Sequence, residues 1–398
     1  MRKKMPFHST LFMVAMTLPV IASAASEANE TPVAEQSTFN WTAMTGLGYD
    51  NNVFRAPRAA YTDLSLGVPA VVIPQRKSGV FVPYEIKVDA TKNRDYDSRL
   101  IGSAALDGSF YLGNGLASAN QYGLTGSGGY EYVLARNEKS ADTLYIGALV
   151  GTHKREYVDH DTGLGKTAFN RYNFLRFGVE AAYKSRAGIL DYGLSGEYLL
   201  NDYEAPVTGS ELDNSYLKLG AEVDVPISPM SKLNVAFNHS IRDYSNLRSR
   251  DNTGLSSVAN PLLVYTYNDI SFTLHNRISP DWLLYLDYDH TNRTDGTVGY
   301  NDYAKNRYGA RALYGQGRIK ARLSLHHWTR DYPSAFAFDV AAGGRKTYSG
   351  NDLKIKAEYE QTKNSALWTE LLYKSQNTTD LRYDYVSSQF MAGMSWAY

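Results

Sequence analysis

Carboxylates beside histidines are the residues of this chain whose types could hold a metal or move protons, and they cluster in three places. Asp159-His160-Asp161 opens a twelve-residue stretch to Asn170 with the length of a calcium-binding loop. Leu164 stands where the sixth position needs Gly, and Asn170 where the twelfth needs Glu. In Asp287-Tyr288-Asp289-His290, strand alternation sends both carboxylates to one face and the imidazole to the other; His326-His327 splits the same way. No Gly-x-Ser-x-Gly elbow, Walker loop or HExxH occurs. With eight His, no Cys and no tight constellation, the residues point away from an enzyme and call for no cofactor and no metal.

What the charged residues share is a period of two. Val82, Tyr84, Ile86, Val88 and Ala90 alternate with Glu85, Lys87 and Asp89; Leu353, Ile355, Ala357 and Tyr359 alternate with Lys354, Lys356 and Glu358. Charges on every second position exclude a parallel sheet buried on both faces, and a helical period of 3.6 is absent. These are strands with one wet face. If that face lines a lumen, Arg307, Arg311, Lys320, Arg322, Lys354 and Lys356 form a basic ladder on three neighbouring strands, with Glu358 beside it. Inward aromatics such as Tyr145, Tyr285 and Trp368 offer apolar faces with polar tips on which sugar rings could stack.

The links between strands alternate in length. Short ones fall near Thr91–Asp97, Arg136–Ala141, Lys184–Gly188, Pro226–Ser231, Ser279–Asp281, Tyr314–Arg318 and Lys363–Ala366. Longer polar ones lie between them, as at Asp50–Gly79, Tyr244–Pro261 and Asp331–Tyr348. Short periplasmic turns alternating with long external loops characterise a transmembrane antiparallel β-barrel. The chain therefore reads as all-β, with about sixteen strands. Links at Leu112–Ala119 and Gln376–Leu381 are short where a loop is expected, which leaves fourteen or eighteen strands open. Aromatics near strand ends (Trp41, Tyr49, Phe81, Tyr130, Tyr132, Tyr183, Trp282, Tyr288, Trp328) suit interfacial girdles.

Arg2, Lys3 and Lys4 precede an apolar run from Leu11 to Ile21 and an Ala22-Ser23-Ala24 cleavage site, the form of a secretory signal peptide over residues 1–24. Residues 25–38 read as a flexible periplasmic lead-in, and 39–398 as the barrel. The chain carries 41 basic and 41 acidic residues, and losing the three basic leader residues leaves a net charge of −3. That near-neutrality argues against a nucleic-acid partner. At the other end, Phe390 to Tyr398 alternates large apolar with small residues and ends on Trp396-Ala397-Tyr398. Gly393, Trp396 and Tyr398 match the C-terminal signal read by the bacterial barrel-assembly machinery, with Tyr in place of the commoner Phe. Pairing of 390–398 with 39–49 would close the barrel.

The stretch Gly48-Tyr49-Asp50-Asn51-Asn52-Val53-Phe54-Arg55, where the first strand gives way to the first loop, resembles a signature of the type-2 family of β-barrel porins. Tyr49, Asp50, Asn52, Phe54 and Arg55 carry the likeness, and strand spacing and Tyr-rich strands extend it over residues 39–398. The resemblance implies an outer-membrane barrel associated with exopolysaccharide or capsule production, in some members the outlet for the polymer. Physically, Asp50 and Asn51-Asn52 are turn formers, and Arg55 could grip a neighbouring loop through a carboxylate.

Three functions follow from this reading: an exopolysaccharide or capsular polysaccharide outlet, a general or solute-specific diffusion porin, and an outer-membrane hydrolase. The expected partners are outer-membrane lipids and lipopolysaccharide, the barrel-assembly machinery, a polysaccharide substrate and periplasmic polysaccharide export proteins. The expected location is the outer membrane of a Gram-negative bacterium.

Overall fold

The computed structural model describes residues 37–65, 67–137, 140–155, 173–203 and 212–398. The signal peptide, most of the lead-in and the Asp159–Asn170 stretch lie outside the described residues. In chain order the strands are β1 (Ser37–Asp50), β2 (Tyr61–Asp63), β3 (Ala70–Val72), β4 (Gly79–Asn93), β5 (Ser98–Leu112) and β6 (Gln121–Asn137). There follow β7 (Ser140–Arg155), β8 (Phe174–Ala187), β9 (Leu190–Tyr203), β10 (Asn214–Ser228), β11 (Ser231–Arg248) and β12 (Leu262–Ser279). The last are β13 (Trp282–Asp295), β14 (Tyr303–Gln316), β15 (Ile319–Phe336), β16 (Arg345–Thr362), β17 (Ser365–Thr378) and β18 (Tyr385–Ala397). β2 and β3 pair with each other inside the first long loop; the other sixteen close one antiparallel barrel.

Closure runs through β1 and β18, with Thr42 opposite Ala397 and Tyr49 opposite Phe390. β1 starts at Ser37, two residues into the expected lead-in, because Ser37 and Thr38 find partners in Lys92 and Thr91. Six of the seven expected tight links are turns at one end of the barrel, and the seventh joins β6 to β7 at that same end through residues outside the described ones. In the β14–β15 turn, Gly317 takes φ 58, a conformation only glycine adopts freely. The two short links, 113–120 and 379–384, lie at the opposite end with the long loops, so the strand count is sixteen and neither fourteen nor eighteen.

Alternation then sorts the side chains. Outward residues such as Leu47, Phe110, Val179, Leu219, Leu286 and Tyr308 stay exposed on the apolar face, the band a bilayer requires. Inward residues are polar. Two residues assigned to the girdles point inward instead. Phe81 is buried against Tyr111 at 5.1 Å. Trp328 lies 5.7 Å from the Arg330 guanidinium. Their strands place them on the polar face, and each is covered by its neighbours there.

The tightest packing is at the loop end. Val53 and Phe54 of the first loop tuck onto Phe81, Tyr111 and Leu116 at the inner rim. Tyr61 of β2 packs on Ala337 and Phe338 of the 337–344 loop. Loops that would otherwise flop are thereby tied to the wall and to one another.

Candidate functional site in the channel lumen

All eight lumen residues expected from the sequence face inward, but the basic ladder does not act as a stripe of free charge. Arg307 donates to Asp289 at 3.0 Å, and Arg311 reaches Asp287 at 3.2 and 3.3 Å. Lys354 pairs with Glu370 at 2.8 Å, Lys356 with Glu358 at 2.5 Å, and Lys320 with Glu360. Only Arg322, exposed on β15, has no carboxylate in ion-pair reach among the described residues. The expected density of uncompensated positive charge is absent because each of the other five cations sits opposite or beside an acid on the same face. The Arg311 guanidinium also stacks 4.7 Å over Tyr285. An open recess of about 330 Å³ at the turn end is lined by Arg277, Lys320, Arg322, Lys356 and Glu358. Trp368 offers no free face: it is 4% exposed, beneath Lys356.

Nearer the loop end the wall changes character. Arg293 is held between Tyr265 at 4.1 Å and Tyr303 at 4.3 Å. Arg330 lies 5.0 Å over Tyr303 and 5.9 Å over Tyr348, and Arg242 lies 5.3 Å over Tyr216. Edge-on contacts join the rings: Tyr244 to Tyr265 at 5.9 Å, Tyr303 to Tyr332 at 5.4 Å, Tyr332 to Tyr348 at 5.9 Å. The result is a belt across β10–β16 in which guanidinium planes alternate with tyrosines. Among the described residues no carboxylate pairs with Arg242, Arg293 or Arg330, and the Nε of Arg242 and of Arg330 has no acceptor. Arg293 donates instead to the Asn301 carbonyl at 3.1 and 2.5 Å. Arginine stacks well because its charge is delocalised and weakly hydrated. The sequence analysis missed the belt, although Tyr265-x-Tyr267 and Arg330-x-Tyr332 carry its signal.

The family-like motif builds the rim above. Asp50 is buried and accepts from Gln389 at 2.7 Å, from the Asn52 amide at 2.8 Å, from Ser387 at 3.2 Å and from Tyr111 at 3.3 Å. Asn52, also buried, donates to the Ala56 and Val386 carbonyls at 3.0 and 2.9 Å. Phe54 is the buried anchor of the first loop, while Tyr49 faces outward. Arg55 takes φ 52 and lies 5.6 Å over the Tyr385 ring; among the described residues it does not grip a carboxylate. That contact belongs to Arg58, 2.8 Å from Asp384, because the left-handed turn at Arg55 brings the later arginine round to the neighbouring loop.

A second lock holds the loops. Fully buried Asp380 accepts from Arg382 at 2.8 Å and from the Phe338 amide at 3.1 Å, with Lys346 at 3.4 Å. Burial pushes its carboxyl up, but the Arg382 hydrogen bonds and the charges of Arg382 and Lys346 outweigh that and hold it below the usual range. Asp339 adds contacts to Arg250 at 3.3 Å and Arg382 at 3.4 Å. Phe338 and Asp339 both sit at φ 59, a strain these contacts sustain.

Solved barrels share this architecture. The outer-membrane channel DcaP of Acinetobacter baumannii matches with a TM-score of 0.50 at 12% identity, over 91% of this chain and 97% of that one. The chain has the fold of a porin-type barrel, the fold of Gram-negative outer-membrane channels. The anion-selective porin of Comamonas acidovorans matches at 0.43 and 12% identity over 92% and 100%. A bacterial polysaccharide outer membrane secretin matches at 0.45 and 9% over 90% and 98%. At such identities the likeness to DcaP is one of fold. The sequence matches no family profile and no curated protein.

Proposed function

We propose that this barrel channel is the outlet for an anionic exopolysaccharide or capsular polysaccharide. The observation behind this is the belt of stacked, carboxylate-free Arg242, Arg293 and Arg330. Acidic sugars present an apolar ring face and a carboxylate; tyrosine faces take the first and guanidinium groups the second. Many moderate contacts in series let a polymer bind and still move on. Below the belt, paired charges keep the wall wet without a trap. The Gly48–Arg55 motif supports membership of the type-2 porins, with the same role. Gly393, Trp396 and Tyr398 would deliver the chain to the assembly machinery, and periplasmic export proteins would feed the polymer.

The second reading, a diffusion porin, draws on the ion pairs Arg311–Asp287 and Lys354–Glu370. They set up a transverse field of the kind that orders water around small permeants. Deleting the gene and measuring surface polysaccharide separates the two. Loss restored by the wild-type chain supports the outlet; unchanged polysaccharide discards it in favour of the porin.

A further inference from the structure

Six neighbouring strands carry a second pattern on their outward face, unrelated to the lumen. His239, His290 and His327 each stand at the fifth outward position of β11, β13 and β15, counted from Ser231, Trp282 and Ile319. Each faces an asparagine across its hairpin: Asn268, Asn306 and Asn351. In all three pairs the His Nδ1 lies 2.9 Å from the Asn Oδ1. The parity is that of exposed Phe237, Ile270, Leu286, Tyr308, Leu325 and Ile355, so these pairs look away from the lumen. On the flanking strands β10 and β17 the fifth outward residues are Leu219 and Tyr373. The row is confined to one sector.

Its height follows from strand geometry. Four outward steps of two residues cover about 27 Å along a strand, or about 21 Å across a membrane at a tilt of about 40°. The row therefore lies at the external edge of the apolar band, directly above the Tyr288–Tyr308 contact of 5.2 Å. Its chemistry is specific. Asn Oδ1 can only accept, so the Nδ1 facing it carries a hydrogen, and in the neutral ring Nε2 is then an acceptor beside the Asn amide donors. Ester-linked phospholipids at that depth offer carbonyl acceptors but no donor for Nε2. An acylated amino sugar offers both, through its amide N–H and hydroxyls.

We propose that this row is a binding site for the acylated amino-sugar head of the outer-leaflet glycolipid. Three pairs, each adding a neutral hydrogen bond or two, hold it against the wall of β11–β16.

The test uses the full barrel in nanodiscs and the variant combining His239→Leu, His290→Leu and His327→Leu, which suits an outward face and so folds. Glycolipid retained through purification is measured by native mass spectrometry, with lipid A and its dephosphorylated form as probes. The expected result is a loss of lipid A retention on the order of tenfold, equal for both forms, with phosphatidylethanolamine unchanged. Unaltered retention overturns the proposal. So does a loss restricted to the phosphorylated form, which would make phosphate the ligand, or a shift from oligomer to monomer with no lipid change, which would make the row a contact between copies.

Discussion

Gly46 and Gly393 face each other across the closing seam, and neither position has room for a side chain. A Cβ on Gly393 would lie 2.0 Å from the Thr45 carbonyl oxygen, and one on Gly46 would lie 2.3 Å from that of Ala392. The glycine of the proposed assembly signal is thus also a packing requirement of the finished barrel. Gly393→Val is expected to cost about 1–3 kcal/mol through forced backbone shifts. It should weaken the heat-modifiable band on gels; a full-strength band would show that the seam adapts.

The terminal aromatics belong to the proposed assembly signal. Trp396 and Tyr398 point outward, and the Trp41 and Tyr398 main chains exchange hydrogen bonds of 2.9 Å. Replacing both side chains by Asp puts charge on the lipid face, costing about 2–4 kcal/mol at mid-depth and less near the interface. The chain should accumulate unassembled in the periplasm. Normal outer-membrane levels would remove these residues from the assembly signal.

The loop lock is acid-sensitive by its sign. Asp380 has a folded-state pKa below its unfolded one. Its contribution is complete above about pH 4 and is lost as pH falls through the folded value. Residues 337–344 should therefore exchange amide hydrogens faster under acid. Asp380→Asn, which among the described residues leaves Arg382 with only the Asp339 carboxylate at 3.4 Å, should loosen the loop by about 3 kcal/mol at neutral pH and abolish that acid response. Persistent acid dependence in the variant would assign the effect elsewhere.

The lower lumen separates paired from unpaired cations. Arg322→Glu should leave barrel yield unchanged, since no carboxylate faces it among the described residues. Lys354→Glu sets a second acid against buried Glu370 and should lower folding yield. Equal yields would mean that the ion pairs contribute little.

How far the sequence revealed these features depends on the range of the interaction. Period-two alternation and link lengths are local, so the strands and their facing were readable, and their count to within two. The seam was readable because β1 and β18, the first and last strands of the barrel, can complete their pairing only with each other. Phe81 and Trp328 misled because an aromatic near a strand end looks the same whether its strand turns it to lipid or to loop. The compensation of Lys354 by Glu370 needs the register of two strands, and the stacking of Arg293 between Tyr265 and Tyr303 needs three. No single segment contains that information.

The central claim is that the Arg–Tyr belt holds an acidic polymer, and channel block tests it most directly. Wild-type barrels in a planar bilayer should be blocked by acidic oligogalacturonate and far less by a neutral oligosaccharide of equal length. Combining Arg242→Gln, Arg293→Gln and Arg330→Gln should weaken that block about tenfold for each arginine that contacts a carboxylate, while the open-channel conductance persists. Equal block of wild-type and variant channels would contradict the account.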